Sequence, residues 1–224
     1  MSAPDEAAKP SKAEARRAAL RTVLIAAAER RISDHGLGGL RARDLAADAG
    51  CALGAIYGAF PDLDALILEV NLRTLALFEA ALGPEGGPFD AATAADELVR
   101  LGQAYLAFAQ GQAKRWRALF QHQFADGRRP PEDYVAEQAR LFRRIEAPLQ
   151  VLRPDLATPE RRLLARSLFS ATHGIVMLGL DARLMALPAG VVGRQLELLI
   201  RAMASGLASD AAARLQAGAP DGAT

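Results

Sequence analysis

Residues 45–66 read LAADAGCALGAIYGAFPDLDAL, and this stretch decides the fold. It has the outline of a helix, a tight turn, a second helix and a stop. Gly50 permits the sharp turn, and Pro61 ends the second helix because proline cannot continue one. Ala46 is small enough for a close helix crossing, and Ile56 packs the second helix onto the first. The stretch therefore predicts a helix-turn-helix, whose second helix would enter a DNA groove.

The predicted second helix has few of the polar side chains that usually read bases. We place Tyr57 and Phe60 on its flank, where a tyrosine hydroxyl can reach a phosphate. Backbone amides over 52–55 can meet a phosphate, and the methyl of Ala52 or Ala55 can touch a thymine methyl. We expect an interface that relies on phosphates and DNA shape rather than on base hydrogen bonds. The predicted DNA-contacting residues are Arg41, Arg43, Ala52, Leu53, Gly54, Ala55 and Tyr57.

Positive charge is concentrated before this motif. The segment from Lys9 to Arg43 holds nine basic and three acidic residues, an excess of six positive charges, although the whole chain has a net charge of only +1. Such asymmetry fits an end that binds a polyanion on an otherwise acidic body. The alternative is a solvated helix face rich in arginine. In the first interpretation an N-terminal arm contacts the DNA backbone or minor groove through Lys9, Lys12, Arg16 and Arg17.

The rest of the chain also reads as helix, because no segment alternates apolar and polar residues as a strand does. We therefore predict an all-α fold of about nine helices. Val23 and Leu77 are expected on the inward-facing stripes of the first and fourth helices. Asp62 is expected to cap the fourth helix, and Thr158 the eighth, with Pro159 in its first position. The fourth predicted helix starts at 63, carries its apolar stripe to 77 and precedes a loop at 83–88. The other predicted helical segments are 12–35, 41–49, 52–60, 90–112, 116–124, 132–152, 158–185 and 191–208.

Composition excludes several classes of protein. The single cysteine, Cys51, rules out a disulfide framework and a multi-cysteine metal site. No apolar run is long enough to span a bilayer, and the polar N-terminus lacks the apolar region of a signal peptide. We expect a cytoplasmic protein that does not bind membranes and has no cofactor. No phosphate loop, nucleophile motif or paired histidine and carboxylate nominates an enzyme.

The motif resembles that of the TetR/AcrR family of bacterial transcriptional regulators. The shared positions are Leu45, Ala49, Gly50, Gly54, Tyr57, Phe60, Pro61 and Leu66. The resemblance implies an all-helical homodimer, a small-molecule pocket in each C-terminal domain, and ligand-controlled release from a double-stranded DNA operator. It also implies a DNA-binding domain at 16–78 and a ligand-binding and dimerisation domain at 79–210. From charge and composition we expect a flexible basic arm at 1–15 and a disordered tail at 211–224.

The chain departs from the family at the start of the recognition helix. Members usually have Ser or Thr followed by Lys or Arg there, whereas this chain has Ala52 and Leu53. Small residues also stand at Gly58 and Ala59, where the family has variable polar residues. A second interpretation is therefore a regulator-like helical dimer with weakened DNA binding that acts as a ligand-binding module. An all-α enzyme and a purely structural helical adaptor are further alternatives.

Aromatic and sulfur-containing residues gather in the middle of the chain. Trp116, followed much later by His173-Gly174, is similar to the Trp…His-Gly signature of some ligand-binding domains of the family. These residues indicate an apolar pocket between helices, although each of them singly also fits an ordinary core, and a core hydrogen bond is the favoured role of His173. The predicted pocket residues are Tyr105, Phe108, Trp116, Phe120, Phe124, Phe142, His173 and Met177.

The last two helices carry apolar stripes at spacings of three and four residues. Two such helices from each subunit would form a four-helix bundle in a homodimer. The alternative is that these stripes are buried within one subunit, since Leu163, Leu198 and Ile200 supply further apolar faces. The predicted interface residues are Leu164, Leu168, Ala171, Ile175, Leu178, Val192, Leu196, Leu199, Met203 and Leu207.

Overall fold

The computed structural model describes residues 11–123, 127–181 and 187–217, and this part of the chain is built from α-helices joined by short loops. The all-α class is confirmed, and the described residues form nine α-helices and one short 3₁₀ turn at Leu37–Gly39. None of these helices is both long and apolar enough to cross a membrane. The helices are α1 (Lys12–His35), α2 (Ala42–Ala49), α3 (Leu53–Ala59), α4 (Leu63–Leu82), α5 (Ala91–Gly111), α6 (Ala113–Gln121), α7 (Glu132–Leu152), α8 (Thr158–Gly179) and α9 (Ala189–Ala217).

The chain divides into two compact units. The first comprises the described residues of 1–74 and 114–129, and the second those of 75–113 and 130–224. This division differs from the expected boundary near residue 78 in one respect, because α6 belongs to the first unit. Ala118 of α6 is fully buried in the same core cluster as the helix-turn-helix. Sequence spacing did not reveal this, since the packing of α6 joins residues far apart in the chain.

The first unit is held together by one apolar core beneath the helix-turn-helix. Leu45 of α2, Ile56 of α3 and Leu66 of α4 are fully buried there, together with one face of α1. Gly50 has φ +64° at the C-terminus of α2, which is the left-handed conformation that the tight turn needs. One residue of the α1 stripe was predicted wrongly: Val23 is 45% exposed, and Ile25 is buried instead.

The N-terminal helix begins earlier than a flexible arm over 1–15 would allow. Ser11 caps α1: its hydroxyl accepts a hydrogen bond from the backbone N–H of Glu14, and the Glu14 carboxylate accepts one from the N–H of Ser11. Lys12 is therefore part of the first helical turn, and Arg16 and Arg17 lie on an exposed face of α1. Lys9 lies outside the described residues.

The second unit is organised around α5, which packs chiefly against α9 and α7. Gly102 permits the close crossing of α5 and α9, because a Cβ there would lie 2.5 Å from Cδ1 of Ile200. Asp90 begins α5 with a reciprocal cap, in which the Thr93 N–H donates to the Asp90 carboxylate and the Thr93 hydroxyl accepts from the Asp90 N–H. The prediction that Leu77 lies on the inward-facing stripe of α4 is wrong, since its side chain is 45% exposed.

Two helices near the C-terminus have different bounds from those predicted. Ala157, not Thr158, is the N-cap of α8, because the Glu160 carboxylate accepts a hydrogen bond from the Ala157 N–H. The helix ends at Gly179 rather than near Met185. The last helix, α9, starts at Ala189 and continues to Ala217, well beyond the expected end at Ala208.

Candidate nucleic-acid interface

The recognition helix, α3, presents one solvent-exposed face. Leu53 is 41% and Tyr57 is 53% exposed, and Gly54 and Gly58 are exposed as well. At about 3.6 residues per turn, these four positions form one continuous arc of the helix. Ala52, the N-cap residue, is also exposed, while Ala55 is half-buried at the edge of the arc.

The opposite side of α3 is buried in the core of the first unit. Ile56, Ala59 and Phe60 have no exposed surface. The prediction that Phe60 lies on the flank with Tyr57 is therefore wrong. The Phe60 ring packs beneath the guanidinium of Arg21, whose Cζ lies 4.1 Å from the ring centroid, so Phe60 fixes α3 to α1 rather than facing solvent.

The basic residues from α1 to α3 fall into two groups, and one group makes no ion pair within the described part of the chain. All six members of this group are exposed, and none lies within 4.0 Å of a carboxylate among the described residues. Their charge is therefore free to act on a partner molecule. The group contains the predicted DNA contacts Arg41 and Arg43 of α2 together with residues of α1, and its members are Lys12, Arg16, Arg17, Arg30, Arg41 and Arg43.

The second group holds helices together. The Arg31 guanidinium donates to both carboxylate oxygens of Asp48 and lies 3.3 Å from Asp44, so it ties α1 to α2. The hydrogen bond from Arg31 holds the pKa of Asp48 below its usual value. Arg21 donates to the Ala59 carbonyl at 2.9 Å and to Glu69 at 2.6 Å. These two arginines are structural, and the sequence offered no signal that distinguished them from the unpaired group.

A polar cluster fixes the start of α4. The Asp62 carboxylate accepts a hydrogen bond from the Ala65 N–H at 2.7 Å, as the sequence predicted for a helix cap, and another from Arg128 at 2.8 Å. These bonds, the one from Ala65 first, lower the pKa of Asp62. Nε2 of His122, just beyond α6, lies 3.0 Å from the Asp64 carboxylate. The segment after α6 is thus anchored to the first turn of α4.

An aromatic cluster occupies the second unit. Tyr105 packs edge-on against Phe78 and Phe169 with ring centroids 5.5 and 5.4 Å apart. Phe108 lies beside Phe78 and Phe142 beside Phe169, so three of the predicted pocket aromatics meet here. Phe78 and Phe169 were not predicted from the sequence. Phe169 stands four residues before His173, a spacing that puts both side chains on one face of α8 and gave a usable signal.

His173 belongs to this cluster. Its Nδ1 lies 2.6 Å from the hydroxyl of Tyr105, and its ring stacks on Phe169. Partial burial lowers the pKa of His173, so the imidazole is neutral at pH 7. The structure thus gives His173 the core hydrogen bond that was favoured from the sequence. Met177 lies one turn further along α8 and is half-buried.

Two predicted pocket residues belong to the other unit. Trp116 on α6 is 1% exposed and packs edge-on against Phe120, which is itself 39% exposed. Both are part of the first unit by their contacts, so they do not line a pocket built only from the C-terminal unit. Phe124 lies outside the described residues.

A separate cleft of about 300 Å³ lies in the second unit beside the loop at 83–88. Its walls are charged rather than apolar. Arg144, 7% exposed, donates to the carbonyls of Gly83 and Pro84 at 3.0 and 2.8 Å, and Glu97 is paired with Arg100. The charged groups thus brace the loop, and this cleft is not the apolar pocket that the sequence predicted.

The predicted interface stripes on α8 and α9 divide between core and surface. Leu168, Val192 and Leu196 are buried within the chain, so their assignment to a dimer interface is wrong. Leu178 and Leu199 are exposed, as an interface requires of a single subunit. Leu163 and Leu198, which were predicted to lie on additional apolar faces, are the most exposed of these leucines, at 66% and 60%. Of the others, Ala171 is exposed, and Leu164, Ile175, Met203 and Leu207 are half-buried.

These features define a helix-turn-helix unit with an exposed basic surface, joined through α4 to a second helical unit with an aromatic core. Two family comparisons match the same parts. The bacterial regulatory proteins of the tetR family match residues 24–70, and the tetracyclin repressor-like C-terminal domain matches residues 98–209. The chain belongs to the TetR family of bacterial regulatory proteins. It is a DNA-binding transcriptional regulator with a ligand-binding C-terminal domain.

Solved structures share this fold. A protein of unknown function from Rhodococcus sp. RHA1 is 25% identical, with a TM-score of 0.61 over 84% of this chain and 95% of that one. A TetR-like transcriptional regulator from the same organism is 19% identical, with a TM-score of 0.57 over 88% and 100%. A tetR-family regulator from Streptomyces coelicolor is 21% identical, with a TM-score of 0.56 over 92% and 90%. No curated protein matches the chain significantly.

Proposed function

We propose that this protein is a homodimeric repressor that binds a double-stranded DNA operator in the bacterial cytoplasm and releases it when a small, largely apolar ligand binds the C-terminal unit. The proposal is carried by the six exposed basic residues that make no ion pair with any described carboxylate. They lie in the same unit as the exposed face of α3. Basic side chains that the protein leaves unpaired are available to phosphates.

The structural arginines strengthen this argument. Arg21 and Arg31 show that the first unit neutralises a basic side chain wherever the charge serves the fold. The charges left over on α1 and at the start of α2 have no such role. Phosphate contacts by these residues would position α3 on the duplex without carrying sequence information themselves.

The ligand side of the proposal rests on the aromatic cluster around Tyr105 and Phe169. Its side chains offer a large apolar surface with one polar pair, Tyr105 and His173, which suits an apolar ligand with a single hydrogen-bonding group. Ligand binding there would shift α4, which contributes its first part to one unit and its last turns to the other. Two recognition helices in a dimer must match half-sites one DNA turn apart, so a small shift would lower operator affinity.

A second candidate is a ligand-binding module whose DNA binding is weak. The observation that favours it is the chemistry of the α3 face, on which only the Tyr57 hydroxyl can form a side-chain hydrogen bond. The two functions differ in affinity for DNA, so one measurement separates them.

The test is a gel-shift and fluorescence-anisotropy titration of the full chain against the DNA upstream of its own gene, at several salt concentrations. For an operator-binding protein we expect specific binding in which the logarithm of the association constant falls linearly with the logarithm of the salt concentration. The double variant Arg41→Ala/Arg43→Ala should lower affinity and reduce the salt slope by about 1 for each phosphate that the protein no longer touches. Arg143→Ala, an exposed arginine of the second unit, is the control. No binding at low salt would contradict the repressor function and favour the second candidate.

A further inference from the structure

The solvent face of α3 is apolar, and the fold itself does not require this. Leu53 and Tyr57 form one row along the helix, and Gly54 and Gly58 form the adjacent row. The buried side of α3 already supplies its packing through Ile56, and Leu53, which is 41% exposed, is not among the residues that form that core or pack against it. A leucine in such a position loses the benefit of burial unless something outside the protein covers it.

The two glycines have no internal explanation either. A Cβ at Gly54 or Gly58 would meet no atom within 4 Å, so alanine fits both places without a clash. Glycine in a helix is less favourable than alanine by about 1 kcal/mol. Two of them in a helix of seven residues are therefore costly. Because these glycines leave the adjacent row without side chains, a partner molecule can approach the α3 backbone closely and contact Leu53 and Tyr57.

The partner of this face is set by the charges around it. The unpaired basic residues of the same unit, among them Arg41 and Arg43 at the start of α2, favour a polyanion over an apolar protein surface. In the DNA major groove, adenine, guanine and cytosine are read through hydrogen bonds. Thymine alone offers a methyl group that an apolar side chain can contact.

We propose that Leu53 is a specificity-determining residue of this regulator, and that it reads the C5-methyl group of a thymine in each operator half-site. Gly54 and Gly58 allow the approach that this contact needs, and the guanidinium groups supply the affinity. The inference rests on the proposed function, because it assigns the base chemistry of the same DNA-binding surface. It replaces the alanine contacts expected from the sequence with a contact by a larger and more exposed side chain.

The experiment uses deoxyuridine, which differs from thymidine only by the missing methyl group. An operator is first selected from random duplexes by the full-length protein. Each thymine of one half-site is then replaced singly by uracil, and the dissociation constants are measured by fluorescence anisotropy. At one thymine or more we expect affinity to fall about fourfold, the effect of burying one methyl group.

The variant Leu53→Ala should bind the thymine duplex more weakly and should lose the difference between thymine and uracil at that position. Val23→Ala, an exposed apolar residue of α1, is the control and should keep the full difference. Equal binding of all uracil duplexes by the unaltered protein, a selected half-site without thymine, or an undiminished difference in Leu53→Ala would each overturn the inference while the proposed function stands. Absence of binding to any duplex at low salt would overturn the proposed function itself.

Discussion

Asn71 is a buried polar residue whose side-chain amide makes no hydrogen bond to any described residue. It lies on α4 with 1% of its surface exposed, and neither its amide nitrogen nor its amide oxygen has a hydrogen-bond partner in that part of the chain. Thr74, three residues further on, is equally buried, but its hydroxyl donates to the Val70 carbonyl at 2.9 Å. The two residues allow a comparison between a satisfied and an unsatisfied polar side chain on one helix.

We expect Asn71→Leu to stabilise the protein. Leucine keeps the branched shape at Cγ but removes two polar atoms, each of which costs about 1–3 kcal/mol when buried without a partner. The free energy of unfolding in urea should therefore rise by at least about 1 kcal/mol. Thr74→Val removes a hydrogen bond that is made, so it should not stabilise. A loss of stability in Asn71→Leu would show that the amide is satisfied in solution.

His173 should make the stability of the protein depend on pH. Burial lowers its pKa in the folded state, whereas the unfolded value is about 6.5. The unfolded chain then binds more protons than the folded one, so stability is complete above about pH 6.5 and is lost as the pH falls through that value, until both states are protonated.

The measurement is the melting temperature between pH 8 and pH 5 for the unaltered protein and for His173→Gln. Glutamine cannot be protonated and can still bond to the Tyr105 hydroxyl, so the variant should lose less stability on acidification. All other titratable groups are the same in both proteins, so the difference between the two curves reports on His173. Parallel curves would show that His173 is not the titrating group.

At the scale of the helices, local signals placed most of the elements whose determinants lie within a few residues. Gly50 and Pro61 fixed α2 and α3, and Asp62 was predicted as the cap of α4. The start of α8 was misplaced by one residue because a Glu160 side chain can serve an N-cap that has no polar atom of its own. The end of α9 was placed too early although the sequence carries a signal, since the alanines, Arg214 and Leu215 after Ala208 are strong helix formers.

Contacts between residues far apart in the chain could not be predicted from the sequence. Arg21 forms an ion pair with Glu69, which is 48 positions away, and the residues next to either one give no local signal that predicts this pair. Trp116 was assigned to a pocket because it is aromatic and central, but burial of Ala118 places its helix in the first unit. On the recognition helix, by contrast, Leu53 and Tyr57 were predicted from the motif as residues that contact DNA, and both are exposed.

Substitutions at Asp62 measure how much its two hydrogen bonds at the first turn of α4 contribute to stability. Asp62→Ala removes both the cap to the Ala65 N–H and the bond from Arg128, and we expect it to destabilise the protein by about 1 kcal/mol. Asp62→Asn keeps a capping oxygen but loses the ion pair with Arg128, so it should recover most of that loss. Urea unfolding measures both. If the two variants are equally unstable, the ion pair rather than the cap holds this turn.

For the whole molecule, the second unit has apolar surface that the described residues leave exposed. Leu163 and Leu178 are exposed on α8, and Leu198 and Leu199 on α9. Small residues lie between them, including Ala171 on α8, so another helix can approach closely. Exposed leucines grouped on two long helices are typical of an interface between subunits, and a bundle of two helices from each subunit would bury them.

The double variant Leu163→Glu/Leu198→Glu should abolish the proposed homodimer while leaving the fold intact, because both side chains are exposed and their replacement introduces charge only at the proposed interface. Sedimentation equilibrium should give the mass of one chain, 23.7 kDa, for the variant and twice that mass for the unaltered protein. Leu196→Glu is the matched contrast: it lies two residues from Leu198 but is fully buried, so a charge there should unfold the second unit. Because an operator with two half-sites engages both subunits, the dissociated variant should also bind DNA much more weakly although its recognition surface is unchanged. A variant that still sediments as a dimer would place the interface on another surface of the molecule.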